Sequence, residues 1–433
     1  MRLATHRFPG YVLSEHRFDV PLDHARPDGE RISVFAREVV AEAKAGEDLP
    51  WLVFLQGGPG HGSPRPDSLK PVWLERATRD YRVLLLDQRG TGISATVSHQ
   101  TLARLPSAEA QAAYLRHFRA DSIVHDAELI RGELTGGEPW SALGQSYGGF
   151  CVCTYLSLAP EGLREALVTG GLPPLERGPD EVYRATYRRV SDRNRRYYER
   201  YPEDIDRVRA IVGELEANDV RLPDGERLSP RRFLQLGFHF GMSDGFEKLH
   251  YLVERAFVDG IDGPELSYGF LRELEHELSF DVTPIFALLH EPIYCQGEAS
   301  RWSAQRIRDE LPEFDLSADP PLFTGEMIYP WMFDECRYLR PLKDAAELLA
   351  ADADWPLLYD VEQLRTNDVP AAAAVYANDM YVERAFSEET AQTIRGRRVW
   401  VTDEYEHDGL RQYGEEVLDR LLAMLGTGAE RVV

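Results

Sequence analysis

The sequence predicts an α/β protein with a mostly parallel sheet and a large, mainly helical insertion. Short, continuous apolar runs that end in glycine-rich turns recur in the first part of the chain, as is typical of strands buried on both faces. Helix-like segments alternate with these runs, which favours a sheet covered by helices on both sides. The 433 residues also exceed the length at which one core usually stops growing, so an insertion or a second domain is expected.

The predicted elements divide the chain into three parts. Residues 1–173 form the first part of the core, with an antiparallel pair at residues 18–22 and 31–40 and strands at 51–55, 83–87, 142–143 and 166–169. Residues 174–354 form a helical cap domain, because Arg- and Glu-rich helical patterns dominate there and buried-strand runs are scarce. We interpret most of its charge runs as solvated faces. Residues 355–433 complete the core, with strands at 371–376 and 399–401 and an amphipathic helix over roughly residues 410–425.

Charge and cysteine content limit which binding partners and which cellular compartment we expect. The chain has 73 acidic and 49 basic residues, a net charge of −24, which argues against nucleic acid or an anionic membrane as partner, since both attract basic surfaces. Four cysteines (Cys151, Cys153, Cys295 and Cys336) are too few for a disulfide framework. No apolar run approaches the ~20 residues of a membrane span, and the N-terminal residues lack an apolar signal segment. We therefore expect a soluble, cytoplasmic protein.

The most informative motif is Gly144-Gln145-Ser146-Tyr147-Gly148-Gly149. A serine inside Gly-x-Ser-x-Gly, between a strand-like run and a helix-like run, is the nucleophile-elbow pattern of α/β-hydrolases. The turn is so tight that the flanking positions must lack bulky side chains, and the helix after it directs its first amides toward the serine. The motif therefore predicts an α/β-hydrolase core with Ser146 as the nucleophile.

A nucleophilic serine needs a histidine base and an acid that orients the base, and in this architecture they follow in the order Ser, Asp or Glu, His. Five histidines follow Ser146: His239, His250, His276, His290 and His407. The first four lie in the predicted insertion, so the order selects His407. The acid should directly follow the preceding strand, which favours Asp379, with Asp403 and Asp360 as alternatives.

Two backbone amides should stabilise the developing oxyanion. One is the amide of Tyr147, directly after the nucleophile, and the other comes from the turn Gln56-Gly57-Gly58-Pro59-Gly60, after the predicted strand at 51–55. We assign Gly58, with Gly57 as the alternative. The turn is not a phosphate loop, because it lacks Gly-Lys-Ser/Thr and GxGxxG patterns, and His290-Glu291 lacks the second histidine of a zinc motif. The predicted chemistry requires no cofactor and no metal.

Three motifs occur in order along the chain: Gln56-Gly57-Gly58-Pro59-Gly60, Asp87-Gln88-Arg89-Gly90-Thr91-Gly92-Ile93-Ser94 and the Ser146 elbow. Together they resemble prolyl aminopeptidases (proline iminopeptidases), serine α/β-hydrolases that remove an N-terminal proline from peptides. The length and the large insertion are similar to the longer subgroup of that family. One departure is that the glycine turn, which usually begins with His, begins here with Gln56. This change leaves the backbone donors of the turn intact, but we expect it to alter how the substrate is positioned.

The resemblance implies a substrate and a means of recognising it. Family enzymes bind the free α-amine of the substrate through glutamates of the cap, and a buried ammonium needs carboxylate partners. Glu291 matches the family's amine-binding position, and Glu326 is the second candidate, since both lie in aromatic, apolar sequence. The aromatic residues that could wall a proline-sized pocket are Tyr294, Phe323, Tyr329 and Trp331. The implied substrates are short peptides with an N-terminal proline, and the resemblance permits a homo-oligomer.

Two other interpretations stay open. An esterase or amidase could use the same triad without recognising an amine, because a fold does not fix the substrate. A catalytically inactive binding or scaffold protein is the second, although an intact set of Ser146, Asp379 and His407 disfavours it.

Overall fold

Nine strands form one sheet within residues 1–67, 71–261 and 263–426, the part of the chain that the computed structural model describes. All strands, in chain order, are β1 (Arg2–Phe8), β2 (Tyr11–Pro21), β3 (Arg31–Ala41), β4 (Trp51–Leu55), β5 (Arg82–Leu86), β6 (Trp140–Gln145), β7 (Leu163–Thr169), β8 (Phe257–Gly260), β9 (Gly263–Leu266), β10 (Ala371–Tyr376) and β11 (Arg397–Thr402). Strands β8 and β9 pair separately as an antiparallel hairpin.

The order across the main sheet is β1-β2-β3-β5-β4-β6-β7-β10-β11. Strands β1, β2, β3 and β5 pair antiparallel. From β5 through β4, β6, β7 and β10 to β11, every neighbouring pair is parallel. The carboxyl ends of these parallel strands therefore meet at one edge of the sheet, where ligand and catalytic sites of such folds form.

Helices cover both faces of the sheet, as the continuous apolar strands require. The helices before β10 that belong to the core are α1 (Val72–Ala77), α2 (His99–Leu102), α3 (Ala108–Leu115), α4 (Ala120–Thr135) and α5 (Tyr147–Leu158). Along β4, Leu52 and Phe54 pack in one apolar cluster with Trp73 of α1. The alternate residues Val53 and Leu55 pack on the opposite face, in the cluster that contains the buried residues of α4 and α5. This alternation is the two-residue period of a strand.

A long, mainly helical insertion separates β7 from β10. Its helices are α6 (Pro179–Arg200), α7 (Asp204–Ala217), α8 (Pro230–Leu234), α9 (Gly245–Glu254), α10 (Tyr268–Glu277), α11 (Pro284–Leu289), α12 (Ser303–Asp309), α13 (Met332–Glu335), α14 (Lys343–Ala351) and α15 (Val361–Arg365). Short 3-10 helices at Gln235–Gly241 and Pro292–Tyr294 also belong to it. The chain then returns to the sheet with β10, α16 (Arg384–Thr393), β11, α17 (Gly409–Gln412) and α18 (Gly414–Leu425).

The predicted α/β class and mostly parallel sheet are confirmed, and so is the early antiparallel pair, in which Phe18 lies opposite Val34. Strand β1 was not predicted, because this edge strand is largely exposed and carries no apolar alternation. The prediction of one continuous C-terminal helix is wrong, since the structure breaks it at Tyr413. A Cβ on Gly414 would lie 2.5 Å from the Trp73 amide nitrogen, so α18 begins with a glycine that packs against α1.

Helix length and polarity bear on a membrane location. Within the described ranges, no helix combines the length and apolar character that crossing a lipid bilayer demands.

Candidate active site

Ser146 occupies a strained turn between β6 and α5. Its φ of +56° and ψ of −126° lie where residues other than glycine are rarely found, and such strain is typical of functional positions. The Ser146 amide donates to the carbonyl of Thr169 at 2.9 Å. The flanking glycines permit the turn, because a Cβ on Gly148 would lie 1.9 Å from the Leu55 carbonyl oxygen and one on Gly144 would lie 2.3 Å from the Gly148 oxygen. The elbow therefore forms as the motif predicts.

Asp379 and His407 lie together, after the neighbouring strands β10 and β11. The Nδ1 atom of His407 is 2.7 Å from Oδ2 of Asp379, and both side chains are almost fully buried. The other oxygen of Asp379 accepts the amides of Tyr381 at 2.8 Å and Val382 at 3.1 Å. The carboxylate is therefore fixed by its own loop and directs one oxygen at the histidine, as the acid of a triad must.

The two alternative acids serve other purposes. Asp360 caps the N-terminus of α15 by accepting the Gln363 amide at 2.9 Å. Asp403 follows β11 and is exposed. Asp379 is therefore the one of the three candidate acids for which the structure gives a contact with His407.

Burial and nearby charges have opposite effects on the pKa of His407. Burial by itself would lower the pKa of His407, but the Asp379 carboxylate and its hydrogen bond outweigh burial, and Glu326 acts in the same direction. The net effect raises the pKa of His407 above its ordinary value of 6.5. Because Asp379 occupies Nδ1, the remaining ring nitrogen, Nε2, is the one available to accept a proton.

The glycine turn after β4 lies against the nucleophile. A Cβ on Gly57 would be 2.9 Å from the Cβ of Ser146, so this position tolerates no side chain. Gly58 has a φ of +138°, a conformation that favours glycine. The side chain of Gln88 donates to the carbonyl of Gln56 at 3.1 Å and holds the start of the turn. Tyr147 opens α5, where the first amides have no partner inside the helix.

The Asp87-Gln88-Arg89 motif has a supporting role in this region. Asp87 is fully buried and accepts the Ser63 amide at 2.9 Å and an Arg65 guanidinium nitrogen at 2.8 Å. Arg89 is also buried, pairs with Asp126 and donates to the carbonyl of Leu22 at 2.8 Å. These contacts tie the segment after β5 to the segments after β2 and β4 and to α4, so the motif has a structural role.

Glu326 is a carboxylate of the insertion that lies beside His290. Its charge acts on His407 and on Tyr381, whose pKa burial raises and the charges of Glu326 and Asp379 raise further. Its carboxylate is 3.5 Å from Nε2 of His290, and its side chain is 18% exposed. The other ring nitrogen of His290 is 3.1 Å from the Tyr183 hydroxyl. Glu326 is thus a carboxylate that borders the site while keeping some access to solvent.

Glu291 lies deeper in the insertion and already has protein partners. Its two oxygens accept the amides of Ser303 at 3.1 Å and Ala304 at 2.9 Å, which start helix α12. Burial raises the pKa of Glu291, although these amides and Ser300 oppose the shift. Glu291 thus caps a helix with both of its oxygens, and its role toward a substrate amine stays a prediction.

A cavity of about 190 Å³ borders Glu326. Its lining includes His61, Phe238, Phe286, Glu326 and Glu277. His61 directly follows the glycine turn and lies 3.1 Å from the position of a Cβ on Gly58. The cavity thus reaches from the glycine turn to the insertion and has both apolar walls and carboxylates.

The four aromatic residues predicted to wall a pocket differ in position. Phe323 and Tyr329 are fully buried in the core of the insertion, and the Tyr329 hydroxyl bonds that of Tyr187 at 2.9 Å. Tyr294 lies nearer the site, because its ring meets that of Phe150, in helix α5, edge-on with centroids 5.8 Å apart. Trp331 stacks on Tyr329, with ring centroids 5.4 Å apart. Of the four, Tyr294 is the one whose environment includes the candidate site.

Sequence reasoning missed two residues that shape the surroundings of His407. The ring of Tyr381 meets the imidazole edge-on with centroids 4.6 Å apart, and its hydroxyl donates to the Phe238 carbonyl. The carbonyl of Gly241 accepts the His407 amide at 3.2 Å. Proximity of Tyr381 to Asp379 in the sequence is a signal for the first contact. The contact between Gly241 and His407 joins segments that are distant in sequence, so no local sequence pattern indicates it.

Comparisons with known proteins identify the family of the chain. Residues 50–214 match the α/β-hydrolase fold family. The chain is 51% identical to a proline iminopeptidase of Aeromonas sobria over 417 residues, which are 96% of this chain and 97% of that protein. The chain belongs to the proline iminopeptidase family. It is also 37% identical over 430 residues to proline iminopeptidase aneH of Aspergillus aculeatus, covering 97% of this chain and 95% of that protein.

A more distant relative matches a smaller part of the chain. A tripeptidyl aminopeptidase of Streptomyces coelicolor is 26% identical over 197 residues, which are 38% of this chain and 35% of that protein. Membership of the proline iminopeptidase family confirms the predicted family, the α/β-hydrolase fold class and the hydrolase class. The predicted roles of the site residues stay predictions: Ser146, Asp379, His407, Gly58, Tyr147, Glu291 and Glu326.

Proposed function

We propose that this protein is a serine exopeptidase that releases the N-terminal residue, preferably proline, from short peptides through an acyl-enzyme. The observation that carries the proposal is the 2.7 Å contact between buried Asp379 and His407, at the sheet edge that also holds the Ser146 elbow. Glu326 adds a carboxylate that helps to raise the pKa of His407 and lines the same cavity as His61. The names of the relatives, proline iminopeptidases, supply the substrate class.

In the first half of the reaction, Nε2 of His407 takes the proton of the Ser146 hydroxyl while its oxygen attacks the carbonyl carbon of the N-terminal residue. The amides of Tyr147 and Gly58 stabilise the oxyanion. His407 then gives the proton to the leaving amine as the peptide bond breaks, which leaves the residue esterified to Ser146. Asp379 stabilises the imidazolium that forms between these steps.

In the second half, a water molecule gives a proton to His407 and attacks the ester carbonyl. The collapse of this second tetrahedral intermediate returns the proton to the Ser146 oxygen and frees the amino acid. A raised pKa of His407 suits both directions of proton transfer, because catalysis is most efficient when the pKa of the base lies near the working pH.

The free amine of the substrate would bind Glu326. A proline nitrogen is a secondary ammonium with two N–H donors, and a partly buried carboxylate offers a strong charge-assisted hydrogen bond to it. An acylated nitrogen carries neither the charge nor a free donor, so an internal proline would not be recognised. Glu291, the other predicted partner of the amine, already accepts the amides of Ser303 and Ala304.

Hydrolysis of proline p-nitroanilide and of its N-acetylated counterpart tests the proposal. We expect the purified protein to cleave the free-amine substrate and to leave the acetylated one nearly untouched, and Ser146→Ala to abolish cleavage. Equal cleavage of both substrates would establish an esterase or amidase without amine recognition. A wild-type protein that neither cleaves the substrate nor reacts with a fluorophosphonate would favour a binding protein.

A further inference from the structure

Arg193 extends from helix α6 of the insertion to both loops of the candidate triad. Its guanidinium donates to the carbonyl of Asn378 at 2.7 Å, directly before Asp379. It also pairs through two nitrogens with the carboxylate of Glu406, directly before His407, with one of these contacts at 2.9 Å. One side chain of the insertion thus joins the acid loop to the histidine loop.

The geometry of the Arg193 contacts is better suited to positioning the two loops than to stabilising the fold. A guanidinium is a planar fork with fixed donor directions, so it holds two acceptors in a set relation. The Arg193 side chain is 7% exposed and that of Glu406 is 29% exposed. A pair of this kind contributes little reliable stability, because desolvation offsets much of the attraction. Its effect on the relative position of Asn378 and Glu406 is direct, and both are one residue from the triad.

Other contacts from the insertion converge on the same histidine loop. The amide of His407 donates to the Gly241 carbonyl at 3.2 Å. Ser243 donates to Asp408 from its amide at 3.1 Å and from its hydroxyl at 2.7 Å. These contacts involve the histidine loop alone. Arg193 differs from them because it reaches the acid loop as well.

We propose that Arg193 is a positioning residue that aligns Asp379 with His407, so that the triad depends on the docking of helix α6 against the two loops. The proposal deepens the function above and rests on Ser146, Asp379 and His407 forming the triad. It does not rest on the identity of the substrate. Because displacement of a catalytic group by about 1 Å can cost on the order of a hundredfold in rate, loss of this link should lower turnover without removing the substrate site.

The experiment compares Arg193→Met, Glu406→Gln and the double variant with wild type and with Arg184→Met. Arg184 is a matched control, because it lies on the same helix and pairs with Glu310 at 3.0 Å on the surface of the insertion. Two rates are measured for each protein: kcat on proline p-nitroanilide per titrated active site, and the rate at which a fluorophosphonate labels Ser146. The melting temperature and KM are recorded beside them.

We expect Arg193→Met to lower kcat and the labelling rate in parallel by about ten- to hundredfold, with a smaller change in KM. Glu406→Gln should lower both rates less, because the Asn378 contact remains, and the double variant should be no worse than Arg193→Met. Arg184→Met should match wild type in both rates. Rates per active site that stay at the wild-type level in Arg193→Met and Glu406→Gln would overturn the proposal.

Three further outcomes are decisive. Multiplicative losses in the double variant would show that Arg193 and Glu406 act separately, which contradicts the proposal. If Arg193→Met does not fold, Glu406→Gln alone decides by the same two rates. Failure of wild type on proline p-nitroanilide, with labelling of Ser146 still sensitive to Arg193, would refute the proposed substrate while supporting the positioning role.

Discussion

Replacement of Glu326 by glutamine tests the recognition of the substrate amine. The change keeps the size of the side chain and removes the charge that would face the ammonium. A hydrogen bond to a charged group contributes about 1.5–3 kcal/mol, and each 1.4 kcal/mol is tenfold in an equilibrium constant. The Glu326 side chain is 18% exposed, so solvent screens this interaction only in part. We expect kcat/KM for proline p-nitroanilide to fall by about 10- to 150-fold.

The assay needs a substrate of the same shape without the amine. The p-nitrophenyl ester of cyclopentanecarboxylic acid has the ring of proline with carbon in place of nitrogen. Its kcat/KM should change little in Glu326→Gln, because the triad is intact. Glu277→Gln is the matched control, since Glu277 lines the same cavity but is already paired with His239 at 2.9 Å and Lys248 at 2.8 Å. Those partners lower the pKa of Glu277 to about 2.

The ratio of kcat/KM for the anilide to kcat/KM for the ester decides between the two explanations. A fall in the ratio of anilide to ester for Glu326→Gln, with an unchanged ratio for Glu277→Gln, supports amine recognition by Glu326. An equal fall on both substrates would refute it and would assign Glu326 to the chemistry common to both. The acid limb of the pH profile should also move to lower pH, because the Glu326 charge helps to raise the pKa of His407.

Three more changes test the parts of the site separately. Asp379→Asn should lower kcat by about 10⁴-fold, as loss of the acid's charge does in a serine triad. It should also move the acid limb of kcat/KM to lower pH, because burial, which lowers the pKa of His407, is then unopposed by Asp379; an unchanged limb would contradict the pairing. Gly57→Ala should abolish most activity while circular dichroism still shows folded protein, because its Cβ would lie 2.9 Å from the Ser146 Cβ; wild-type turnover would rule out contact of this turn with Ser146. Glu291→Gln should lower the free energy of unfolding in urea by about 1–3 kcal/mol, since glutamine has one acceptor oxygen for two buried amides; unaltered stability with lost discrimination of the amine would instead assign Glu291 to the substrate.

The residues of the candidate triad could be predicted because their sequence signals are local and occur in a fixed order. Ser146 carries a motif whose glycines the turn requires, and Asp379 and His407 each follow a strand in the order that this fold demands. Parallel strands bring their carboxyl ends to one edge, so order along the chain becomes proximity in space. The structure accordingly places Asp379 and His407 at 2.7 Å.

The glutamates of the insertion could not be separated by the same reasoning. Glu291 and Glu326 both lie in apolar, aromatic sequence, and nothing local shows which carboxylate receives amides from another helix. Glu291 caps α12, twelve and thirteen residues further along the chain. Glu326 reaches the site through the packing of the whole insertion, and that packing depends on contacts distant in sequence.

Charge patterning gave an incomplete description of helix α6. Its many arginines indicate a solvated face, and Arg184 and Arg195 are indeed exposed. Arg193 lies on the same helix but is buried between two loops that are about two hundred residues away in sequence. Helical period alone does not reveal these partners, because the two loops belong to the core and follow the insertion in the chain.

Direct detection of the acyl-enzyme tests the central claim most closely. Wild-type protein is mixed with proline p-nitroanilide, quenched in acid during turnover, digested and analysed by mass spectrometry. We predict a mass increase of one prolyl residue on the peptide that contains Ser146, and no such adduct or turnover in Ser146→Ala. Turnover without an adduct at Ser146, together with activity retained in Ser146→Ala, would contradict the claim that this serine is the nucleophile.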